Sequence, residues 1–355
     1  MNPYYTIHIM REKDTINSIA SLYQSSVSAI LTANPELNPF LLHTNRMIIV
    51  PRKKEIVTPE KAYDYMTLKD NLMALKIYYP FLDTDVIGQS VGHRDIYSVS
   101  FGKGTHTVLY NASHHGNEWI TSLLLMKWLE NMCLAKALQG SIRGYAIDDL
   151  FEKYKIVIVP MVNPDGVELV IHGLESAKYH MKSLLRLNHN NPDFTSWKAN
   201  LKGVDLNRNY DAGWDYYKKM TYKWYIDGPG PAGFPGFAPH SEPETLCLSN
   251  LTLQLNPRLT LSYHAQGEEI FWKFSDRTTQ ECGEIAQLLS KTCGYLLANE
   301  SQDQAYAGYK DWFIHVFQKP GYTIEVGRGR NPLHLSQFDD IYEKNEALLL
   351  LAAVI

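Results

Sequence analysis

The stretch TVLYNASHHGNEW, residues 107–119, decides how the rest of the chain is read. Thr107-Val108-Leu109-Tyr110 is a short apolar run rich in β-branched and aromatic residues, the pattern of a buried strand. It gives way to a polar loop, Asn111 to Glu118, and a helical stretch begins near Trp119. Strand, loop and helix in that order form the repeating unit of an α/β layer fold, in which the loops at strand ends carry function. Two side chains in this loop have chemistry to offer, His115 and Glu118. Standing three apart where the chain turns into a helix, they can converge on one cation, and both are ordinary zinc ligands. Taken alone, His-x-x-Glu is a weak motif, and a glutamate that caps a polar loop produces it too.

Outward from this loop the same alternation recurs. Strands are expected at Lys155–Val159, Leu259–Tyr263 and Tyr322–Val326, with helical stretches around 119–138, 241–254, 279–297 and 336–354. The pattern predicts a mainly parallel mixed sheet with helices on both faces. His264 follows directly on the apolar strand Leu259–Tyr263, at the end where a catalytic metal would take its third protein ligand. Three ligands leave a fourth position open. Glu325 sits inside the apolar strand Tyr322–Val326. That is an expensive place for a charge unless it is paired or working, and it marks Glu325 as a candidate general base.

The length, 355 residues, allows one large catalytic domain and a small accessory one. A hydrophobic fraction of 45%, a charged fraction of 20% and a net charge of -4 are ordinary for a soluble globular protein and show no nucleic-acid footprint. Cys133, Cys247, Cys282 and Cys293 have no CxxC spacing, and are read as reduced core residues rather than a Cys282–Cys293 bridge. The opening MNPYYTIHIM lacks a basic region followed by an apolar run, so the chain as written is expected to start in the cytosol. The most apolar stretch, residues 347–355, falls well short of the roughly 20 residues that cross a bilayer. It reads as the buried side of a terminal helix, and no membrane partner is expected.

Residues 1–52 form a pattern of their own. Tyr5–Ile9 alternates like a half-buried strand, and Asp14-Thr15 offers an N-cap to a helix with Ile16, Ile19, Ala20 and Tyr23 on one face. Ser26 caps a second helix, with Val27, Ile30 and Leu31 inward, that ends near Asn34-Pro35. Met47–Val50 is a second strand stopped by Pro51, giving β-α-α-β. Arg52-Lys53-Lys54-Glu55 reads as a charged linker to a catalytic domain over 53–355. The segment YTIHIMREKDTINSIASLYQSSVSAILTANPELN, closed by RMIIVP, resembles a single LysM module, with Glu12-Lys13 where a glycine is common. The resemblance implies binding of N-acetylglucosamine-containing glycan such as peptidoglycan or chitin.

The larger part, roughly residues 60–350, resembles the M14 zinc carboxypeptidases through several motifs in order. They are HGNE at 115–118, PMVNPDG at 160–166, GVDLNRN at 203–209, SEPET at 241–245, SYH ending at His264, and YTIEV around Glu325. The resemblance implies one zinc ion per chain on His115, Glu118 and His264, with Glu325 as the general base that promotes attack of water on the scissile carbonyl. It also implies that Asn207 and Arg208 clasp a substrate carboxylate, a task that suits a planar guanidinium. His114 is read as a loop histidine.

The chain departs from the animal digestive members in two places. They have an arginine where this chain has Gly116-Asn117, and another upstream of the Asn-Arg pair, where residues 197–202 offer only lysines. Lys202 is the candidate there for steadying the oxyanion. The segment Tyr306–Trp312 resembles the stretch that holds a mobile substrate-capping tyrosine and the specificity pocket. Tyr306 is the corresponding tyrosine, and Lys310 falls at the residue that sets side-chain preference. A lysine there implies a substrate with an extra carboxylate.

Joined, the two resemblances imply one substrate. In peptidoglycan stem peptides, D-glutamate is linked through its side chain to meso-diaminopimelate, and both residues carry carboxylates that Arg208 and Lys310 would meet. A glycan-binding module on the same chain raises the local concentration of wall fragments. The expectation is a zinc metallopeptidase that hydrolyses the γ-D-glutamyl-meso-diaminopimelate bond, acting in the cytosol, in a mother cell or at the spore. Two other readings stand beside it: a general metallocarboxypeptidase releasing C-terminal L-amino acids, and a non-catalytic binder of peptidoglycan or chitin.

Overall fold

At the N-terminal end, strand β1 (Tyr5–Ile9) pairs antiparallel with β2 (Met47–Pro51), and helices α1 (Ile16–Leu22) and α2 (Val27–Ala33) lie between them in sequence. The structure is a computed structural model that describes residues 5–51, 55–298 and 306–355. Of the linker read at Arg52–Glu55, residues 52–54 lie outside the described residues. Thr15 caps α1 through a reciprocal pair of 3.0 Å bonds with Ser18, and Ser26 caps α2 through the backbone of Ala29. Asn34 ties α2 to β2, because its carboxamide donates to the carbonyls of Ile30 and Ile49 and accepts from the amide of Ile49. Met10, Ile16, Ile19, Ala20, Ile30 and Ile48 are among the residues that close a small core of this region's own.

The rest of the chain is built on one eight-stranded sheet. In chain order its elements are α3 (Tyr65–Tyr78), β3 (Asp83–Gln89), β4 (Asp95–Phe101), β5 (His106–Ala112) and α4 (Ile120–Ala137). A small hairpin of β6 (Ser141–Ile142) and β7 (Tyr145–Ala146) leads to α5 (Ile147–Lys153), β8 (Tyr154–Val159), α6 (Pro164–His172), α7 (Met181–Leu187), α8 (Trp214–Thr221) and α9 (Pro243–Leu255). The chain then runs through β9 (Leu259–Ala265), β10 (Glu269–Phe271), α10 (Gln280–Cys293), β11 (Leu296–Leu297), α11 (Tyr309–Phe317), β12 (Gly321–Val326) and α12 (Phe338–Val354). The strand order is β11-β10-β12-β9-β5-β8-β4-β3. The four central strands β12, β9, β5 and β8 are parallel, β4 and β3 on one side pair antiparallel to their neighbours, and β10 on the other pairs antiparallel with β12 and parallel with β11.

Both faces of the centre are covered, which is why its strands read as near-continuous apolar runs. Successive residues point to opposite faces. Val108 and Tyr110 join a core with Leu68 of α3, Leu123 of α4, Leu289 of α10 and Leu348 of α12, whereas Leu109 and Val157 join another with Leu248 of α9 and Ile314 of α11. The terminal apolar stretch is the buried side of α12, with Leu348, Leu349, Leu350, Ala352 and Ala353 inaccessible. No helix among the described residues is long and apolar enough to cross a membrane. All four cysteines are free thiols.

Because β5, β9 and β12 run parallel, the residues at their C-terminal ends come together at one edge of the sheet. Ala112 lies opposite Tyr263, and His264 lies opposite Glu325. The functional loop after β5 therefore opens beside the ends of the two strands that carry His264 and Glu325.

Candidate metal centre and substrate site

The turn after β5 is built from local bonds. The Thr121 hydroxyl donates to the carbonyl of Glu118, and the Ser113 hydroxyl lies 2.7 Å from that of Ser122. Between them, Gly116–Glu118 forms one 3-10 turn that turns His115 and Glu118 to the same side. Only glycine fits at Gly116, since a Cβ there would lie 2.5 Å from the Gly166 backbone.

His115 Nδ1 stands 2.8 Å from Glu118 Oε1, His264 Nδ1 stands 2.9 Å from Glu118 Oε2, and the two Nδ1 atoms are 3.3 Å apart. All three residues are buried, and their donor atoms lie within 4.8 Å of one another. Two imidazole nitrogens and a carboxylate on one point form the mixed donor set that zinc takes, so the residues present fit a single ion.

His115 is held from behind. His115 Nε2 lies 3.1 Å from Asp205 Oδ1, and Asp205 in turn accepts from the amides of Asn207 (3.1 Å) and Gly233 (2.9 Å). A carboxylate on the far nitrogen fixes the ring and keeps Nδ1 turned to the cluster. The sequence reading passed over Asp205, although it stands inside the GVDLNRN motif. His114 sits in the loop and outside the ligand group, as read. It is fully buried, its ring stacks on His264 at 5.5 Å between centroids, and its Nε2 lies 2.9 Å from the Tyr210 hydroxyl.

The charges in the cluster are strongly coupled. Burial disfavours a proton on His115, but Glu118 and Asp205 outweigh it and raise the imidazole to about 9. Burial also opposes the Glu118 carboxylate, yet His115, Lys198 and His264 hold it well below the usual range. Glu325, paired in register with His264, is pushed up to about 8 by burial and then by the like charge of Glu118.

Of the lysines upstream of the Asn-Arg pair, Lys198 reaches the cluster, its Nζ standing 3.5 Å from Glu118 Oε1. Burial works against its charge, but Glu118, Asp205 and Glu325 raise its pKa on balance. Asn163 pins the loop that carries it, donating to the carbonyls of His114, Lys198 and Ala199 at 3.1–3.2 Å. Lys202, the residue singled out from sequence, is instead half exposed, with its Nζ 3.4 Å from Glu242 Oε2. The Asn200 carboxamide accepts from the amides of Lys202 and Val204, and this turn sends the two lysines in different directions.

Arg208 lies over the ring of Tyr217, 5.3 Å from its centroid, and donates to the carbonyl of Asn207. The Asn207 side chain accepts from the amide of Tyr309. Both residues follow Asp205 by a few positions, which places them next to the support of His115. Lys310 corrects its reading as a cation left for substrate. It is buried, its Nζ donates to the carbonyl of Lys273, and it forms a 2.7 Å ion pair with Asp311. The Tyr306 ring packs on Gly213 within an aromatic group of Tyr216 and Phe274, while residues 299–305 before it lie outside the described residues.

Comparison with known proteins agrees with this geometry. The zinc carboxypeptidase family, Peptidase M14, matches residues 68–348. The chain is 37% identical over 295 residues to gamma-D-glutamyl-L-diamino acid endopeptidase 1 of Lysinibacillus sphaericus, covering 83% of this chain and 73% of that protein. It is 36% identical over 298 residues to the uncharacterized protein YqgT of Bacillus subtilis (strain 168), covering 82% and 77%. Among solved structures, carboxypeptidase A from Helicoverpa armigera shares the fold with a TM-score of 0.62 at 16% identity, covering 95% of this chain and 81% of that one. With its eight-stranded mixed sheet, its His-Glu-His cluster and a family match over most of its length, the chain belongs to the M14 zinc carboxypeptidases and is a zinc metallopeptidase.

Proposed function

We propose that this protein hydrolyses the γ-D-glutamyl-meso-diaminopimelate bond of peptidoglycan stem peptides. The observation that carries the reading is the similarity, over 83% of the chain, to a peptidase named for a γ-D-glutamyl-diamino acid bond. A complete set of candidate ligands beside Glu325 supports it.

His115, Glu118 and His264 would hold the zinc ion, which when bound supplies Lewis-acid polarisation of the scissile carbonyl. Glu325 accepts the proton of the water that attacks the γ-carbonyl of D-glutamate. As the C–N bond breaks, the same carboxyl delivers that proton to the departing amine of the diamino acid. Its position opposite His264, in the register of β9 and β12, suits this exchange. Arg208, over the Tyr217 ring, takes a carboxylate of the residue on the amine side, with Asn207 beside it. In the same reading, residues 1–52 form a separate LysM domain whose β-α-α-β unit binds N-acetylglucosamine-containing glycan and keeps wall fragments near the site.

One observation favours a general metallocarboxypeptidase instead: Asp311 neutralises Lys310, which removes the cation expected at the specificity position. Hydrolysis of L-Ala-γ-D-Glu-meso-diaminopimelate, measured beside that of an acyl-dipeptide with a C-terminal glutamate, separates the two. The proposal expects turnover of the γ-linked tripeptide and little of the dipeptide. The reverse preference would refute it.

A further inference from the structure

The γ-linked substrate of the proposed function, on which this inference rests, carries a charge that an ordinary peptide lacks. Because D-glutamate is joined through its side chain, its α-carboxylate stays free, a few bonds from the scissile carbonyl on the acyl side. That anion approaches a partly buried site that already holds the Glu118 and Asp205 carboxylates, where a positive partner of its own favours its binding. Arg208 serves the residue on the amine side, and Lys310 is taken up by Asp311 and the Lys273 carbonyl.

Lys198 is placed to meet it. Its ammonium stands at the metal cluster, 3.5 Å from Glu118 Oε1, and its side chain remains 37% exposed, so that it can be reached from the open side. The backbone beneath it is hydrogen-bonded on both sides. Its carbonyl accepts from Gly116, in the ligand turn, and from the Asn163 side chain, and its amide donates to Pro231. A lysine head with three rotatable donors on this base can hold Glu118 and a second carboxylate together. We propose that Lys198 is a specificity-determining residue whose ammonium binds the free α-carboxylate of the γ-linked D-glutamyl residue. It thereby selects γ-linked acidic substrates over ordinary peptides.

The test uses the zinc-loaded full chain with two tripeptides, L-Ala-γ-D-Glu-meso-diaminopimelate and the same peptide with the D-glutamyl α-carboxylate converted to a carboxamide. The wild type is expected to prefer the free carboxylate by about 30-fold in kcat/KM, in keeping with a charge-assisted hydrogen bond. Lys198→Met and Lys198→Gln are expected to bring that ratio near unity, and Lys198→Arg to retain most of it, with zinc content near one ion per chain throughout. Calorimetric binding of the acyl product L-Ala-D-Glu against L-Ala-D-isoglutamine should show the same loss of discrimination without relying on turnover. If Lys198→Met slows both peptides equally and keeps their ratio, Lys198 acts elsewhere and the inference fails. A wild type that cleaves both peptides without preference overturns this inference alone. One that cleaves neither, yet cleaves the acyl-dipeptide, overturns the proposed function with it.

Discussion

Asp205 Oδ1 stands 3.1 Å from His115 Nε2, joining residues 90 apart in the chain. The contact sets which nitrogen of the histidine faces the cluster, and Gly233 and Asn207 hold the carboxylate in turn. Asp205→Asn keeps the shape but removes the charge that orients the ring. We expect zinc affinity to fall by about 10–100-fold, measured by competition with a chelator, with the fold intact by circular dichroism. Unchanged affinity would show that His115 needs no such support.

Glu325 lies beside His264 in the register of β9 and β12, so its carboxyl is delivered to the cluster by the sheet rather than by a loop. Glu325→Gln should bind zinc as the wild type does and melt at a similar temperature, yet lose about 10²–10⁴-fold in kcat. Retained turnover would remove Glu325 from the chemistry.

Glu244 gives a pH test of the fold. It is fully buried, accepts from the Val91 amide at 3.0 Å, and is pushed up to about 7, chiefly by burial. The folded chain therefore holds a proton that the unfolded chain has released, between the ordinary value of 4.5 and about 7. Stability from this group is present at low pH, falls as pH rises through that window, and is flat above it. Glu244→Gln imitates the protonated form. It should melt higher than the wild type at pH 8, by the equivalent of about 1–3 kcal/mol, and match it near pH 5. Equal melting temperatures at pH 8 would count against a buried charge at this position.

How far the sequence could be read follows from where each residue sits. β5, β8, β9 and β12 are central strands buried on both faces, so their apolar runs stood out, as did α12 with its run of leucines. β3 stayed hidden because it is an edge strand with Asp83, Asp85 and Val86 exposed, and its alternation is broken by an irregularity between Val86 and Gly88. The ligands were legible because each follows or ends a strand. Contacts that depend on a distant partner or a turn were not: the bond from Asp205 to His115, the stacking of His114 on His264, and the choice of Lys198 over Lys202, which the Asn200 turn decides. Lys310 did carry a local signal, since Asp311 adjoins it and takes its charge.

The most direct test is to digest a purified disaccharide-linked stem peptide with the zinc-loaded protein and identify the products by mass spectrometry. The expected result is cleavage after the γ-carbonyl of D-glutamate, leaving L-Ala-D-Glu on the sugar and freeing a fragment that begins with meso-diaminopimelate. Release of single C-terminal amino acids, with the γ-D-glutamyl bond left whole, would contradict it.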